Sequence, residues 1–350
     1  MPPPVVTLPV IDLTYETFKF DLTEAEKFWL SRIFNKKVKD GLMNLLGNRI
    51  PFDEDREQLA HQILDFAMQN SNNNEFAKQI LEFLEDEEYS HESIEAAENA
   101  IEDIENGDIP NNILNTVYPA CQNNIVKDIY NSASDMSQIF NAIFANPLAT
   151  GSHNIHYKVS HELPQLTKGR TRFKQPNPVT TNSLNEPAYN LIIELNHDYI
   201  TTSTDLSIAM TIIHENLHAI LLYFEYNNCI HTIEDNPTYA QLIQAYLNEV
   251  AVGPQQHHAF MTQYIQNLGD ALKAYAVGKG YNLPDSFYNA MAWQGLTDIG
   301  MNGGYVTNPE FINLIPSSNE RQIIRDIITA EEKNSEWNGQ LPHSNSNSCN

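Results

Sequence analysis

Five residues, His214-Glu215-Asn216-Leu217-His218, constrain this chain more than any other stretch. They spell the pattern H-E-x-x-H inside residues 205–226, where Leu206, Ile208, Met210, Ile213, Leu217, Ile220 and Leu221 place apolar side chains all round a helical wheel. A helix apolar on every side is a buried one. Residues four apart share a helix face, so both imidazoles can reach one ion. Two histidines and a glutamate are costly in such a helix unless something pairs them. A metal with a water does so, the histidines as ligands and Glu215 leaning over the ion as general base.

Coincidence is a poor alternative. With 12 His and 45 Asp plus Glu in 350 residues, composition yields roughly 0.05 such patterns by chance. The same totals bound the rest. A length of 350 residues suits one large domain or two ordinary ones, and 41% hydrophobic with 19% charged residues suits a folded chain. A formal net charge of −25 argues against general binding to nucleic acid or anionic membranes. No run of 18 uncharged apolar residues occurs, so no membrane span is expected. The start, Met-Pro-Pro-Pro-Val-Val-Thr-Leu-Pro-Val, lacks the basic and apolar regions of a signal peptide and reads as a linker, as if the domain belonged to a longer polypeptide. Location stays open between secretion within such a precursor and the cytoplasm. Cys121, Cys229 and Cys349 show no metal-ligand spacing; a Cys121–Cys229 bridge is allowed but not demanded.

The expected architecture is α+β and mostly helical: residues 1–13 a linker, 14–115 an acidic helical subdomain, 116–333 the domain carrying the motif, and 334–350 a polar, disordered tail. In the acidic part, a short extended piece around 14–20 precedes a helix capped by Thr23 and Glu26. Helical spacing recurs at Leu59, Ile63 and Leu64, and again at Phe76, Ile80 and Leu84, with residues 71–74 as the break. A third helix starts at Ser90 and ends near Gly107, and His61 and His91 read as surface residues. Helices are expected over 124–130 and 134–144, then strands over 154–163 and 189–196. Between these strands, the basic cluster 168–174 reads as a solvated loop before a substrate-contacting hairpin. His153 and His156 would face opposite ways on a strand, which makes them weak ligands. Further helices are expected over 238–250, 255–277, 285–296 and 318–332.

A catalytic zinc takes three protein ligands. Glu249, on the helix expected at 238–250, offers one arrangement; His257 or His258, at the start of the next helix, offers an all-histidine one.

His214-Glu215-Asn216-Leu217-His218, followed some forty residues on by His257-His258-Ala259-Phe260-Met261, resembles the SprT-like zinc metallopeptidases, in particular the SprT-like domains at the C-termini of large Bacteroidetes proteins. Ala292-Trp293-Gln294-Gly295-Leu296 is similar to a recurrent Ala-Trp-Gly-Gly-Leu stretch there, with Gln294 at one glycine. The resemblance covers roughly residues 120–333 and is looser before them. It implies a zincin-like fold with a small sheet and an H-E-x-x-H helix, and one zinc per chain. It also puts His258 ahead of His257 and Glu249 as third ligand, because His258 precedes Met261 by three residues.

The implied reaction is peptide-bond hydrolysis on a protein or peptide substrate, with Glu215 moving the proton and an effector or toxin domain of a larger precursor as one setting. Tyr264 is a candidate transition-state stabiliser, although a core tyrosine is the plainer reading, and Trp293 reads as packing. In such enzymes the strand before the metal helix commonly lies at a sheet edge where an extended peptide can add; sequence alone leaves the position of residues 190–196 open. Two other readings compete. A catalytically silent zincin-fold binding module would not need Glu215. A DNA-associated protease of the Spartan kind is opposed by the net charge and supported only by the 168–174 cluster.

Overall fold

The computed structural model describes residues 22–47, 54–110, 112–144, 154–173, 190–227, 258, 261–262, 264–301 and 304–343. The chain forms two compact units, residues 1–107 and 108–350.

The first unit is helical. Helix α1 (Glu24–Leu30) opens with the expected capping box: the Glu26 N–H donates to Thr23 Oγ1 at 3.3 Å and the Thr23 N–H to Glu26 Oε2 at 2.5 Å. A 3-10 turn (Ile33–Asn35) leads into α2 (Lys36–Leu46), followed by α3 (Glu54–Gln69), α4 (Ser71–Asp86) and α5 (His91–Asn106). The break between α3 and α4 is a single residue, Asn70, whose side chain caps α4 by accepting from the Asn73 N–H. Residues 71–74, expected as the break, are therefore the first turn of the helix. Ser90 caps α5 and Gly107 closes it in the left-handed region, both as expected. The predicted apolar stripes meet in one core, with Leu59, Ile63, Leu64, Phe76, Ile80 and Leu84 fully buried.

The second unit begins earlier than expected, because β1 (Ile113–Thr116) belongs to its sheet. After β1 come α6 (Ala120–Tyr130), α7 (Asp135–Phe144), β2 (Asn154–Ser160), β3 (Gly169–Phe173) and β4 (Asn190–Asn196). The sheet order is β1-β2-β4-β3; β1, β2 and β4 run parallel, and β3 runs antiparallel to β4. One expectation changes here, and one position that the sequence left open is now given. Within the basic segment, Gly169–Phe173 is a strand rather than a loop. The strand preceding the motif helix, β4, lies inside the sheet, and among the described residues β3 is the edge on that side.

The short α8 (His197–Thr202) links β4 to α9 (Asp205–Asn227), the helix of the motif, whose N-terminus is capped by Thr204 through the Ser207 N–H at 3.2 Å. Its apolar residues from Leu206 to Leu221 are buried as expected. One sheet face supports it: Tyr157 on β2 donates to Asn216 Oδ1 at 2.7 Å, both buried. Then follow α10 (Ile265–Gly278), α11 (Asp285–Met291), an unanticipated hairpin of β5 (Asp298–Met301) and β6 (Gly304–Thr307), α12 (Pro309–Leu314) and α13 (Ser318–Lys333). Leu268, Leu272 and Tyr275 of α10 face the core.

Residues 334–343, expected to be disordered, form a turn on α13. Trp337 and Gln340 exchange backbone hydrogen bonds, Asn338 donates to Asp326, and the His343 N–H donates to the buried Glu331 carboxylate at 2.6 Å. Composition misled here because the turn buries little of its own surface and borrows acceptors from the helix. Cys121 is disulfide-bonded, with its partner outside the described residues. No helix among the described residues is long and apolar enough to cross a membrane.

Candidate functional site

Helix α9 sets the first two groups. Its spacing brings His214 Nε2 within 3.1 Å of His218 Nε2, too close for two lone pairs unless a proton or a cation sits between them. His258 supplies a third ring from a separate segment, its centroid 5.4 Å from His214 and 5.2 Å from His218. One nitrogen from each of the three lies within 4.8 Å of the others, so the group could hold a metal ion. Burial, then the nearby His258 and Lys168, push the His214 imidazole down to about 3, and burial lowers His258 as well. Both rings are therefore neutral at physiological pH and offer lone pairs, the state a metal ligand requires. His214 Nδ1 is buried without a hydrogen-bond partner. The ring is instead walled by Gly295, whose φ is +77° and where a Cβ would stand 3.2 Å from His214 Cε1.

Glu215, 6% exposed, turns to the edge strand. The Thr171 hydroxyl lies 2.6 Å from Glu215 Oε2 and 3.0 Å from its carbonyl oxygen, donating its one proton to either. Burial raises the carboxyl to about 7, against the lowering effect of the Thr171 hydroxyl and backbone N–H. The approach of β3 to α9 is close enough to require glycine at 169, where a Cβ would stand 2.8 Å from Glu215 Cγ.

A buried polar network steadies the same end of α9. Gln294 Nε2 lies 2.7 Å from Thr211 Oγ1 and 2.9 Å from the Tyr199 hydroxyl, and Ser207 Oγ donates to Gln294 Oε1 at 3.2 Å. Gln294 thus fastens the turn carrying Gly295 to the helix carrying His214. The cavity in front of these groups measures about 510 Å³, with Leu166 and Leu222 as apolar wall and Lys168 and Arg170 as basic rim. Lys168 is paired with Glu332 and Arg170 with Glu194.

Of the residues singled out by sequence, His214, Glu215, His218 and His258 come together in this cavity. His257, Glu249 and His153 lie outside the described residues. Tyr264 sits immediately before α10 and does not line the cavity. Trp293 packs on Phe311, ring centroids 4.5 Å apart, and His156 bonds Thr116 at 2.8 Å in the core, both in structural roles. Thr171, Gly169 and Thr211 were not foreseen. The alternation Gly-Arg-Thr-Arg-Phe at 169–173 was the available signal for the first two. Comparison with protein-family models, curated proteins and solved structures found no match.

Proposed function

We propose that the chain is a zinc-dependent endopeptidase of the zincin, SprT-like kind. The observation that carries this reading is the convergence of three imidazoles from two segments on a cavity that also holds a buried glutamate next in sequence to the first. The donor set fits zinc: bonds of about 2.0–2.1 Å at tetrahedral angles set nitrogens about 3.3 Å apart, close to the 3.1 Å between His214 and His218. Zinc held by His214, His218 and His258 supplies a Lewis acid and a water acidified toward neutrality.

Glu215 is the proton carrier. Its carboxylate, held by Thr171, accepts the proton of the attacking water and returns it to the departing amine. Leu166 and Leu222 line one side of the cavity with apolar surface against which an apolar substrate side chain can rest. A peptide, rather than a small ester or amide, is favoured by β3, which among the described residues is the sheet edge on the side of the cavity.

The test is metal content and turnover in three proteins. Wild type and Glu215→Gln are expected to hold one zinc per chain and His258→Ala to lose it, while Glu215→Gln lowers peptide hydrolysis by roughly 10²–10⁴-fold. Full zinc in His258→Ala removes that histidine from the site. A wild type that takes up no zinc refutes the reading.

A further inference from the structure

The first unit gathers cations at one corner. Residues 27–39, Lys-Phe-Trp-Leu-Ser-Arg-Ile-Phe-Asn-Lys-Lys-Val-Lys, hold five of the chain's 20 Lys and Arg and no carboxylate. Residues 54–107, by contrast, carry 16 Asp and Glu against Arg56 and Lys78. The basic stretch covers the end of α1, the 3-10 turn and the start of α2, with Leu30 and Val38 facing the core. The turn between those two points Ile33 and Phe34 outward, 79% and 83% exposed, and Phe28 is 59% exposed. Single exposed apolar side chains are ordinary, but three large ones within seven residues mark an interaction surface.

Cations ring this tip. The Arg32 guanidinium lies 4.8 Å from the centre of the Phe28 ring, which joins the two into one patch. Lys36 and Lys37 follow Ile33 three and four residues later along a helical path, and residues so spaced are neighbours. Lys36 pairs with Asp40 at 2.5 Å. Arg32, Lys37 and Lys39 have no carboxylate partner among the described residues.

The acidic charge of the unit does not cancel the patch, because packing keeps the two apart. Helices α2 and α4 run side by side in the same direction. Asn35 Oδ1, just before α2, accepts from the Asn74 amide at 2.8 Å, and Asn44 near the end of α2 donates to Glu85 at 3.5 Å. The patch thus adjoins the uncharged first turn of α4, Ser71-Asn72-Asn73-Asn74, after which Glu75 is paired with Lys78 at 3.1 Å. Glu85 and the acids after it stand roughly 16 Å farther along α4, about twice the screening length of physiological salt.

We propose that this corner docks the helical unit on an anionic membrane surface. Phe28, Ile33 and Phe34 enter the boundary between headgroups and acyl chains, while Arg32, Lys36, Lys37 and Lys39 meet the lipid phosphates and carboxylates. Apolar insertion and electrostatic attraction reinforce each other at such an interface, and this tip offers both. Nucleic acid fits the patch less well, because Ile33 has no π face on which a base can stack. The net charge of −25 opposes general adsorption and so selects this one orientation of the unit. None of these residues belongs to the metal group, so membrane docking and peptide hydrolysis stand or fall separately.

The experiment is co-sedimentation of the full chain with vesicles of phosphatidylcholine alone or with about one third phosphatidylserine. Binding is expected to the anionic vesicles only, and it should fade as salt is added. Two double variants separate the contributions, and all four positions are exposed, so neither variant opens the core. Arg32→Gln with Lys37→Gln should weaken binding roughly twentyfold, at about fivefold per charge. Ile33→Ser with Phe34→Ser should weaken it roughly tenfold and leave the salt dependence in place.

Equal binding to both kinds of vesicle, none to the anionic kind at low salt, or binding unmoved in either double variant overturns the proposal. Two other occupants would show themselves as well. Dimers in sedimentation velocity that Ile33→Ser with Phe34→Ser returns to monomers, without vesicle binding, would make the corner a contact between copies of this chain. Tighter binding to single-stranded DNA than to the anionic vesicles would make it a nucleic-acid site. Either result removes the membrane.

Discussion

Two glycines set the tolerance of the site, and a single added carbon at each should fail in a different way. At Gly295 an alanine meets both a φ of +77° and the ring of His214. The backbone term alone costs about 1–2 kcal/mol in a left-handed conformation. The ring cannot retreat without moving Nε2, so Gly295→Ala is expected to weaken zinc binding by roughly tenfold or more, read by competition with a chelator. At Gly169 the added carbon presses on Glu215 Cγ at 2.8 Å and leaves the three imidazoles alone. Gly169→Ala should therefore keep one zinc per chain and lower kcat by roughly 10²-fold, because a misplacement of about 1 Å at the reacting centre costs that much. Zinc loss in Gly169→Ala, or unchanged chelator competition in Gly295→Ala, would contradict these assignments.

At the scale of elements, Arg170 and Arg172 clasp β3 to Glu194 of β4, and the clasp titrates. Burial raises the Glu194 carboxyl, but hydrogen bonds from Arg172 and Arg170 outweigh it and hold the group below its usual 4.5. A depressed carboxyl contributes stability above its unfolded value, and that contribution fades as pH falls through the folded one. Glu194→Gln should therefore flatten the loss of melting temperature below pH 4.5 relative to wild type, as measured by a series of thermal melts. A parallel series in both proteins would show that the clasp carries no acid-linked stability. The same strand shows where sequence reading stops. The motif helix was legible because H-E-x-x-H puts fixed residue types at a fixed spacing on one element inside an apolar run. Strand β3 was not, because Lys168, Arg170 and Arg172 read as solvated charge, and only the fold supplies Glu332 and Glu194 to receive them. Thr171 was illegible for a related reason: its partner lies 44 residues away, and register alone brings them together. Strand β1, four residues long, is too short for any period to declare itself.

On the scale of the whole molecule, the described residues form two cores and one group of three histidines that could hold a metal ion. Leu59, Phe66, Phe76 and Leu84 bury the helices of the first unit, whereas α9 and the sheet bury those of the second, which alone contains His214, His218 and His258. A ligand that binds only the folded state stabilises what it binds, by about 4 kcal/mol when present at 1,000 times its dissociation constant. For a unit of 150–250 residues each kcal/mol shifts the midpoint by roughly 2–4 °C. Calorimetry of the intact chain is therefore expected to show two transitions, of which a chelator lowers one by about 10 °C and leaves the other in place. Truncating the first core identifies the other: Phe76→Ala, at a cost of about 3–5 kcal/mol, should lower only the chelator-insensitive transition. In His258→Ala the sensitive transition should already lie at its chelated position and stop responding. A single transition that both Phe76→Ala and the chelator displace would mean that the two cores melt as one cooperative body, with metal binding stabilising the helical unit as well.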